Sequence, residues 1–437
     1  MRRFIKYAAL ITMVLMLGST VWANSYTDHV TVAPNNKGDV LIFPWFLALD
    51  GGWQTKLTVI NTDKVNSVVA KLIIRSYHNS EELLDFFLYL SPADVWNGVI
   101  KYSAAKRAVV MFSSDDSALS AIAPSLVWAN VTPIDQIMFP LQTCTVTGST
   151  GDGDWLGYVE VVSIAAGPVA PAAPGVKKLD IYNAYVALLA GGTTLLDYAG
   201  DLAQGSRINS LAGFMQFQNP LSGFDSAMSA TTLKDYGNLE AATTGSETRL
   251  GTTAMNTLGE IEAALSKDDI ALPYVNNDDL ALYFFTFPTK LTEDCGPKAR
   301  GPYFDDSDRC VPYTVTTYDL TEKSPSTGSP FSGGGSTTNK FCSEVNFLAS
   351  VPFEYAEGWA NYLFNNKTDN VAAKDKSLLD YDGTPVIATY LYLGATGMSA
   401  NYGAWTDELV FCDRLVPSTL FDYQYTDSAE GLCIIPK

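Results

Sequence analysis

Residues 38–100 read GDVLIFPWFLALDGGWQTKLTVINTDKVNSVVAKLIIRSYHNSEELLDFFLYLSPADVWNGVI, and their spacing decides the fold class. Apolar blocks of strand length alternate with turn chemistry at Asp50-Gly51-Gly52, Asn61-Thr62-Asp63, His78-Asn79-Ser80 and Ser91-Pro92. Trp53, Thr55, Leu57 and Val59 fall on one face of the first alternating run, with Gln54, Lys56 and Thr58 on the other. The next run sets Val68, Ala70, Leu72 and Ile74 against Lys71 and Arg75, and Leu84, Phe86, Leu88 and Leu90 make a third inward set. Period two with regularly spaced turns predicts an antiparallel sheet with one wet face, as in a β-sandwich.

Outward from this block the chain begins with a basic start (Arg2, Arg3, Lys6), a short apolar core at Tyr7–Leu17 and small residues near Ala23. That is the pattern of a secretion signal, and the core is too short to span a membrane. Removing it takes the formal charge from −19 to −22, because it carries three basic residues and no acidic one. So negative a chain lacks the basic surface that nucleic acid or anionic lipid requires. Charged residues are 17% of the chain and aromatics 12%, a balance that suits sheets over long solvated helices.

Further strands are predicted at Ala108–Phe112, Trp155–Ile164, Ile208–Gln218, Leu280–Lys290 (stopped by Pro288), Val311–Tyr318, Ser343–Ala349, Trp359–Phe364 and Pro385–Leu393. Thr257–Ser266 has apolar residues at Leu258, Ile261 and Leu265, the spacing of a short amphipathic helix. Gly148–Asp154, Gly167–Gly175 and the Ser/Gly/Pro-rich Thr321–Asn339 read as loops. The expected fold is mainly β, an antiparallel β-sandwich assembly of one or two packed units with a small, partly helical insertion. Its expected divisions are a signal peptide at 1–23, an N-terminal sandwich region at 24–165, an Ala/Thr/Gly-rich insertion at 166–279 and a disulfide-bearing β region at 280–437.

The blocks G-D-x-L-I-F-P from Gly38, G-W-x-T-x-x-x-V-x-N-T from Gly52 and L-D-F-x-L-Y-L-S-P-x-D-V-W from Leu84 follow one another here. After them come Gly157–Val161, Thr286–Lys290, Cys342–Asn346 and Glu357–Trp359. In this order, across nearly the whole mature chain, the pattern resembles a family of exported, uncharacterised bacterial proteins sometimes described as cell-surface proteins. The chain departs from it at Leu291, where that family tends to carry Arg. The resemblance implies an exported, surface-associated, β-rich protein and brings no catalytic residue with it.

Six cysteines, Cys144, Cys295, Cys310, Cys342, Cys412 and Cys433, fit an exported chain with paired thiols, and six allow fifteen connectivities. Short loops favour Cys310–Cys342 and Cys412–Cys433, leaving Cys144–Cys295. No CxxC, nucleophile elbow or phosphate-cradling glycine motif is present, and the two histidines, His29 and His78, sit in the lead-in and a turn. Histidine-based hydrolysis and nucleotide binding are therefore unsupported. Calcium is the one cofactor for which ligand types exist, at Asp152/Asp154, Asn276–Asp279 and above all Asp305, Asp306 and Asp308 beside two cysteines, though none has EF-hand spacing. Glu160 and Glu344, set in or beside apolar strands, are expected on solvated faces by alternation.

These features predict an exported, non-enzymatic structural or adhesive component of the cell surface or extracellular matrix, the periplasm being the other destination. Its expected partners are copies of itself or other surface components, with Tyr26–Val32 a candidate donor strand. The alternative is a carbohydrate-binding or glycan-hydrolysing protein using carboxylates and exposed aromatics. Convergence of Trp45, Trp359, Trp405 and Glu344 in one groove separates the two. A solute-binding α/β protein is disfavoured because strand–helix alternation is missing.

Overall fold

The computed structural model describes residues 30–78, 80–119, 134–137, 155–169, 175, 177–189, 203–204, 208–236, 255–275, 280–290, 310–321, 339–349, 357–364 and 383–393. The architecture is mainly β, with several packed antiparallel sheets and little helix. In the largest sheet β1 (Thr31–Val32), β14 (Thr231–Lys234), β2 (Val40–Leu47), β10 (Leu156–Gly167), β4 (Ser67–Ser76), β5 (Glu82–Leu90) and β8 (Ala118–Leu119) lie side by side in that order. A short β11 (Ala203–Gln204) pairs with the end of β10. The second sheet runs β13 (Phe224–Ser229), β12 (Leu211–Asn219), β3 (Gln54–Asn61), β6 (Val95–Ser103), β7 (Ala108–Ser113) and β9 (Ile134–Ile137).

These two sheets face each other across one core. Val68, Ala70, Leu72 and Ile74 of β4 meet a layer that includes Leu57, Val59, Ile100, Met111, Met215 and Phe217. The approach is close at Gly213, where an added Cβ would lie 2.8 Å from Leu41 and 2.9 Å from Phe43. The Asp50-Gly51-Gly52 turn needs its glycines for another reason. Both take positive φ, 76° and 89°, where a side chain is strained.

The larger sheet has no wet face along β2, β4 and β10, all of whose residues are buried. Lys71 and Arg75, expected in solvent, are buried on its outer side. Alternation correctly separates two sets of side chains, but a second layer covers the set that carries the charges. Part of that layer is α1 (Lys178–Leu189), whose Ile181 and Tyr185 pack on Val69, Tyr89 and Ile164. Spacing alone predicts no element here, because the stretch from Asp180 is rich in Ala and Leu and carries no clear period of either kind. The helix's N-terminal signal is nevertheless present, since the Lys177 N–H donates to Asp180 Oδ2 at 3.0 Å, the reciprocal half of a capping box. The predicted helix forms as α2 (Met255–Leu265) and buries Ile261 and Leu265. The middle of the chain also supplies β12 and β13 to the smaller sheet and β14 to the larger.

The later strands build a second tier. β17 (Leu280–Thr286) lies between β20 (Val345–Ala349) and β23 (Ile387–Leu393). A four-stranded sheet runs β16 (Asp269–Val275), β21 (Glu357–Phe364), β18 (Val311–Asp319) and β19 (Asn339–Phe341). A short ribbon pairs β15 (Ser266–Lys267) with β22 (Thr384–Pro385). β17 is buried on both sides by period two. Leu282 and Phe284 join the core of the first sandwich, while Tyr283 and Phe285 join that of the four-stranded sheet.

The tiers meet at Pro44-Trp45. Pro44 has no N–H to give a ladder, and it lies where the β2–β10 register shifts, Gly157 facing Phe46 and Val159 facing Phe43. Its carbonyl accepts a hydrogen bond from Thr286 Oγ1 of β17. The Trp45 ring stacks on Phe284 (4.4 Å, 15°), meets Phe217 edge-on at 5.7 Å, and donates Nε1–H to Thr389 Oγ1 at 2.9 Å. Nearby, the Val345 N–H donates to the Tyr77 carbonyl at 3.0 Å. The tiers thus share a core. Phe284→Ala should cost about 3–5 kcal/mol, read as a lower urea midpoint, with both tiers still unfolding in one transition.

Candidate functional site

The densest chemistry among the described residues lies on the outer side of the larger sheet, beside this seam. Antiparallel register sets Tyr158 opposite Arg75, and Arg75 opposite Glu82. One step along, Glu160 faces Ile73 and Ile73 faces Asp85. A register shift between Ile74 and Arg75 lets Glu82 and Asp85, three residues apart, serve the same face. Arg75 Nε lies 3.1 Å from Glu160 Oε2 with both side chains at 0% exposure, and Lys71 Nζ pairs with Asp85 Oδ2 at 2.5 Å.

The turn joining β4 to β5 is held by the same residues. Arg75 Nη1 donates to the Ser80 carbonyl at 2.9 Å, and the Tyr158 hydroxyl donates to Ser80 Oγ at 2.9 Å. Ser80 needs that support, because its φ of 57° lies in the left-handed region. From the second tier comes Glu344, at 0% exposure, whose carbonyl accepts the Phe287 N–H at 2.8 Å. Lys290 Nζ donates to the carbonyl of Cys342, and Cys342 is disulfide-bonded to Cys310. The blocks around Leu41–Pro44, Gly157–Val161, Thr286–Lys290 and Cys342–Asn346 are therefore brought together at one seam.

Electrostatics follows from this burial. The Tyr158 phenol is pushed well above its ordinary range, first by burial and then by the Glu160 carboxylate, with Glu344 adding to the field. Glu82 is pushed up by burial and by neighbouring Asp85, while Lys71 and Arg75 pull the other way. Each buried charge costs several kcal/mol of lost hydration, so such groups persist only in mutual compensation. What this arrangement does chemically is hold the β4–β5 turn and the start of β20 in one geometry.

The expectation that Glu160 and Glu344 face solvent is thus overturned, because both sides of β10 and the approach to β20 are covered by packed layers. Of the groove residues, Trp45 is 2% exposed and Glu344 fully buried. Trp359 is half-buried with its ring stacked on Tyr318 (4.1 Å, 13°), each covering one face of the other. Trp53 and Trp96 are core, and His78 is exposed. Trp405, His29, Asp152, Asp154, Asn276–Asp279, Asp305, Asp306 and Asp308 lie outside the described residues, as do Cys144, Cys295, Cys412 and Cys433. The sequence marks Arg75, Lys71 and Tyr158 only as polar groups within otherwise apolar strands, which is the one signal that points to this cluster.

Arg75→Leu should destabilise the fold by about 3–5 kcal/mol by leaving Glu160 buried without its partner, whereas Arg75→Leu with Glu160→Leu should regain most of that loss in urea denaturation. A second expectation concerns alkali. Tyr158 and Tyr362 are raised well above the usual phenol range by burial, and Tyr185 is raised to about 12. Unfolded phenols release their protons first, so stability should be complete below about pH 10 and fall above it. The last part of the phenolate absorbance, from the buried tyrosines, should then rise together with the loss of sheet circular dichroism. No protein-family model, characterised protein or solved structure matches this chain.

Proposed function

We propose that this chain is an exported structural or adhesive component of the bacterial cell surface or extracellular matrix. The observation that carries the reading is the use made of its acid and base groups. Arg75, Glu160 and Lys71 are buried in the larger sheet, where their ion pairs tie β4 to β10 and β5, and Glu344 of the second tier is buried near Tyr158 of the same face. Carboxylates at such depth do not face a substrate. They make a rigid body, which is what a load-bearing or scaffolding protein requires. The Cys310–Cys342 disulfide agrees with folding in an oxidising compartment, and the basic-then-apolar N-terminus agrees with export.

Glycan binding has one observation behind it, the Trp359–Tyr318 pair at the solvent side of β21 and β18. A sugar stacks on a free ring face, and each ring here already spends one face on the other. A glycan array with the wild-type chain and Trp359→Ala separates the readings, and Trp359-dependent binding would favour glycan recognition.

Labelling intact cells with a membrane-impermeant amine reagent tests the location. The tagged chain should be labelled to the same extent before and after lysis, and should run as the disulfide-bonded form without reductant. Labelling only after lysis, with reduced cysteines, would overturn the proposal.

A further inference from the structure

The smaller sheet ends at β13, which among the described residues pairs with β12 alone. Two hydrogen bonds fix which of its backbone groups are already used. The Ala230 N–H donates to the Gly213 carbonyl at 3.0 Å, which continues the β12–β13 register by one residue. On the other side of β12, the Thr62 N–H donates to the Ser210 carbonyl at 2.8 Å, which continues the β12–β3 register. Antiparallel ladders alternate strictly. Even-numbered residues of β12 therefore bond to β3 and odd-numbered ones to β13, whose own bonding residues are Phe224, Ser226 and Met228. Asp225, Ala227 and Ser229 direct their N–H and C=O groups away from the sheet.

This edge carries few of the usual guards against pairing. Phe224–Ser229 reads FDSAMS, with no Lys and no Pro and a single charge at Asp225. Its inner side chains also belong to an unfinished core. Phe224 and Met228 are only half-buried against the sandwich interior, with Phe224 5.3 Å from Trp53 and 5.9 Å from Phe217. The outward side chains Asp225, Ala227 and Ser229 are exposed, and those of Ala227 and Ser229 are too small to block an approaching strand.

We propose that β13 is the edge through which a second copy of this chain adds, antiparallel, about a two-fold axis at Ala227. In that register the two Ala227 residues exchange both backbone hydrogen bonds. Asp225 exchanges both with Ser229 of the second copy, and the reciprocal pair does the same. Inner side chains stay with inner ones, so Ser226 lies beside Met228 and Phe224 beside Ala230, and the half-buried Phe224 and Met228 gain cover. Each Asp225 carboxylate meets a serine hydroxyl. The two carboxylates stand four residues apart along the strands, about 13 Å, beyond the screening length of about 8 Å at physiological salt. The two smaller sheets become one continuous sheet across the axis. This pairing deepens the structural-component reading and rests on it, giving that component a means of self-association.

The test is sedimentation velocity on the mature chain at concentrations up to about 1 mM, comparing wild type with Ala227→Pro and Ala227→Lys. Proline removes an N–H that the protein's own sheet does not use, and lysine sets two ammonium groups against each other at the axis. The wild type should associate. Both variants should raise the dissociation constant by at least about tenfold, since two central bonds or charge compatibility are lost, while their thermal midpoints in dilute, monomeric solution stay unchanged. The amides of Asp225, Ala227 and Ser229 should exchange slowly in concentrated wild type and fast on dilution. A wild type that stays monomeric throughout, or one whose association neither variant weakens, overturns the β13 edge. Either result leaves the surface location to be decided separately by the intact-cell labelling.

Discussion

The rest of this structure depends on the burial of both faces of the larger sheet along its strands β2, β4 and β10. A two-layer sandwich needs only one apolar face per sheet, and its other face may be wet. Here the second face is covered by α1 at one end and by the later strands at the other. Once both faces are covered, a side chain on β4 or β10 has no solvent to reach. Any charge there must find its compensation inside, and Arg75 with Glu160 is the result. The seam at Pro44-Trp45 belongs to the same constraint. A proline that interrupts the ladder leaves a local irregularity, and the second tier docks on it through Thr286 and Phe284.

Hydrophobic burial and polar contacts divide the work at this seam. The aromatic stack of Trp45, Phe284 and Phe217 supplies non-directional attraction, which would tolerate small slippage of one tier over the other. The polar groups do not tolerate it. Arg75 and Tyr158 together hold Ser80 in a left-handed conformation, and the adjacent Tyr77 carbonyl receives the first N–H of β20. A shift of one residue would leave several buried polar groups unpaired at about 1–3 kcal/mol each. The buried ion pairs act within the larger sheet, and the hydrogen bonds Thr286 to Pro44, Trp45 to Thr389 and Val345 to Tyr77 are the directional contacts between the tiers.

That division bears on function. Groups that resemble catalytic machinery in a linear sequence, carboxylates within strands and an arginine nearby, serve here as internal joinery. The strand β13, with no Lys and no Pro, presents a plain backbone edge. A two-tier body with a lightly guarded edge at β13 is consistent with a part that is assembled with others.

Local spacing alone determined a large share of the molecule. The turns at Gly51-Gly52, the inward set Trp53, Thr55, Leu57 and Val59, the helix at Met255–Leu265 and the runs at Leu280–Thr286 and Val311–Asp319 were all legible, because period and turn chemistry act over a few residues. The pairing of Cys310 with Cys342 was also within reach of a short-loop argument. The side to which Arg75, Lys71, Glu160 and Glu344 turn was not. Alternation says which residues share a face, and only the packing of layers says whether that face meets water. For Arg75 and Lys71 the covering layer comes from segments more than a hundred residues away, Lys178–Leu189 at one end and the strands Leu280–Thr286 and Val345–Ala349 at the other. Local propensity carries no term for contacts at that separation, so the fate of those charges was decided by tertiary structure.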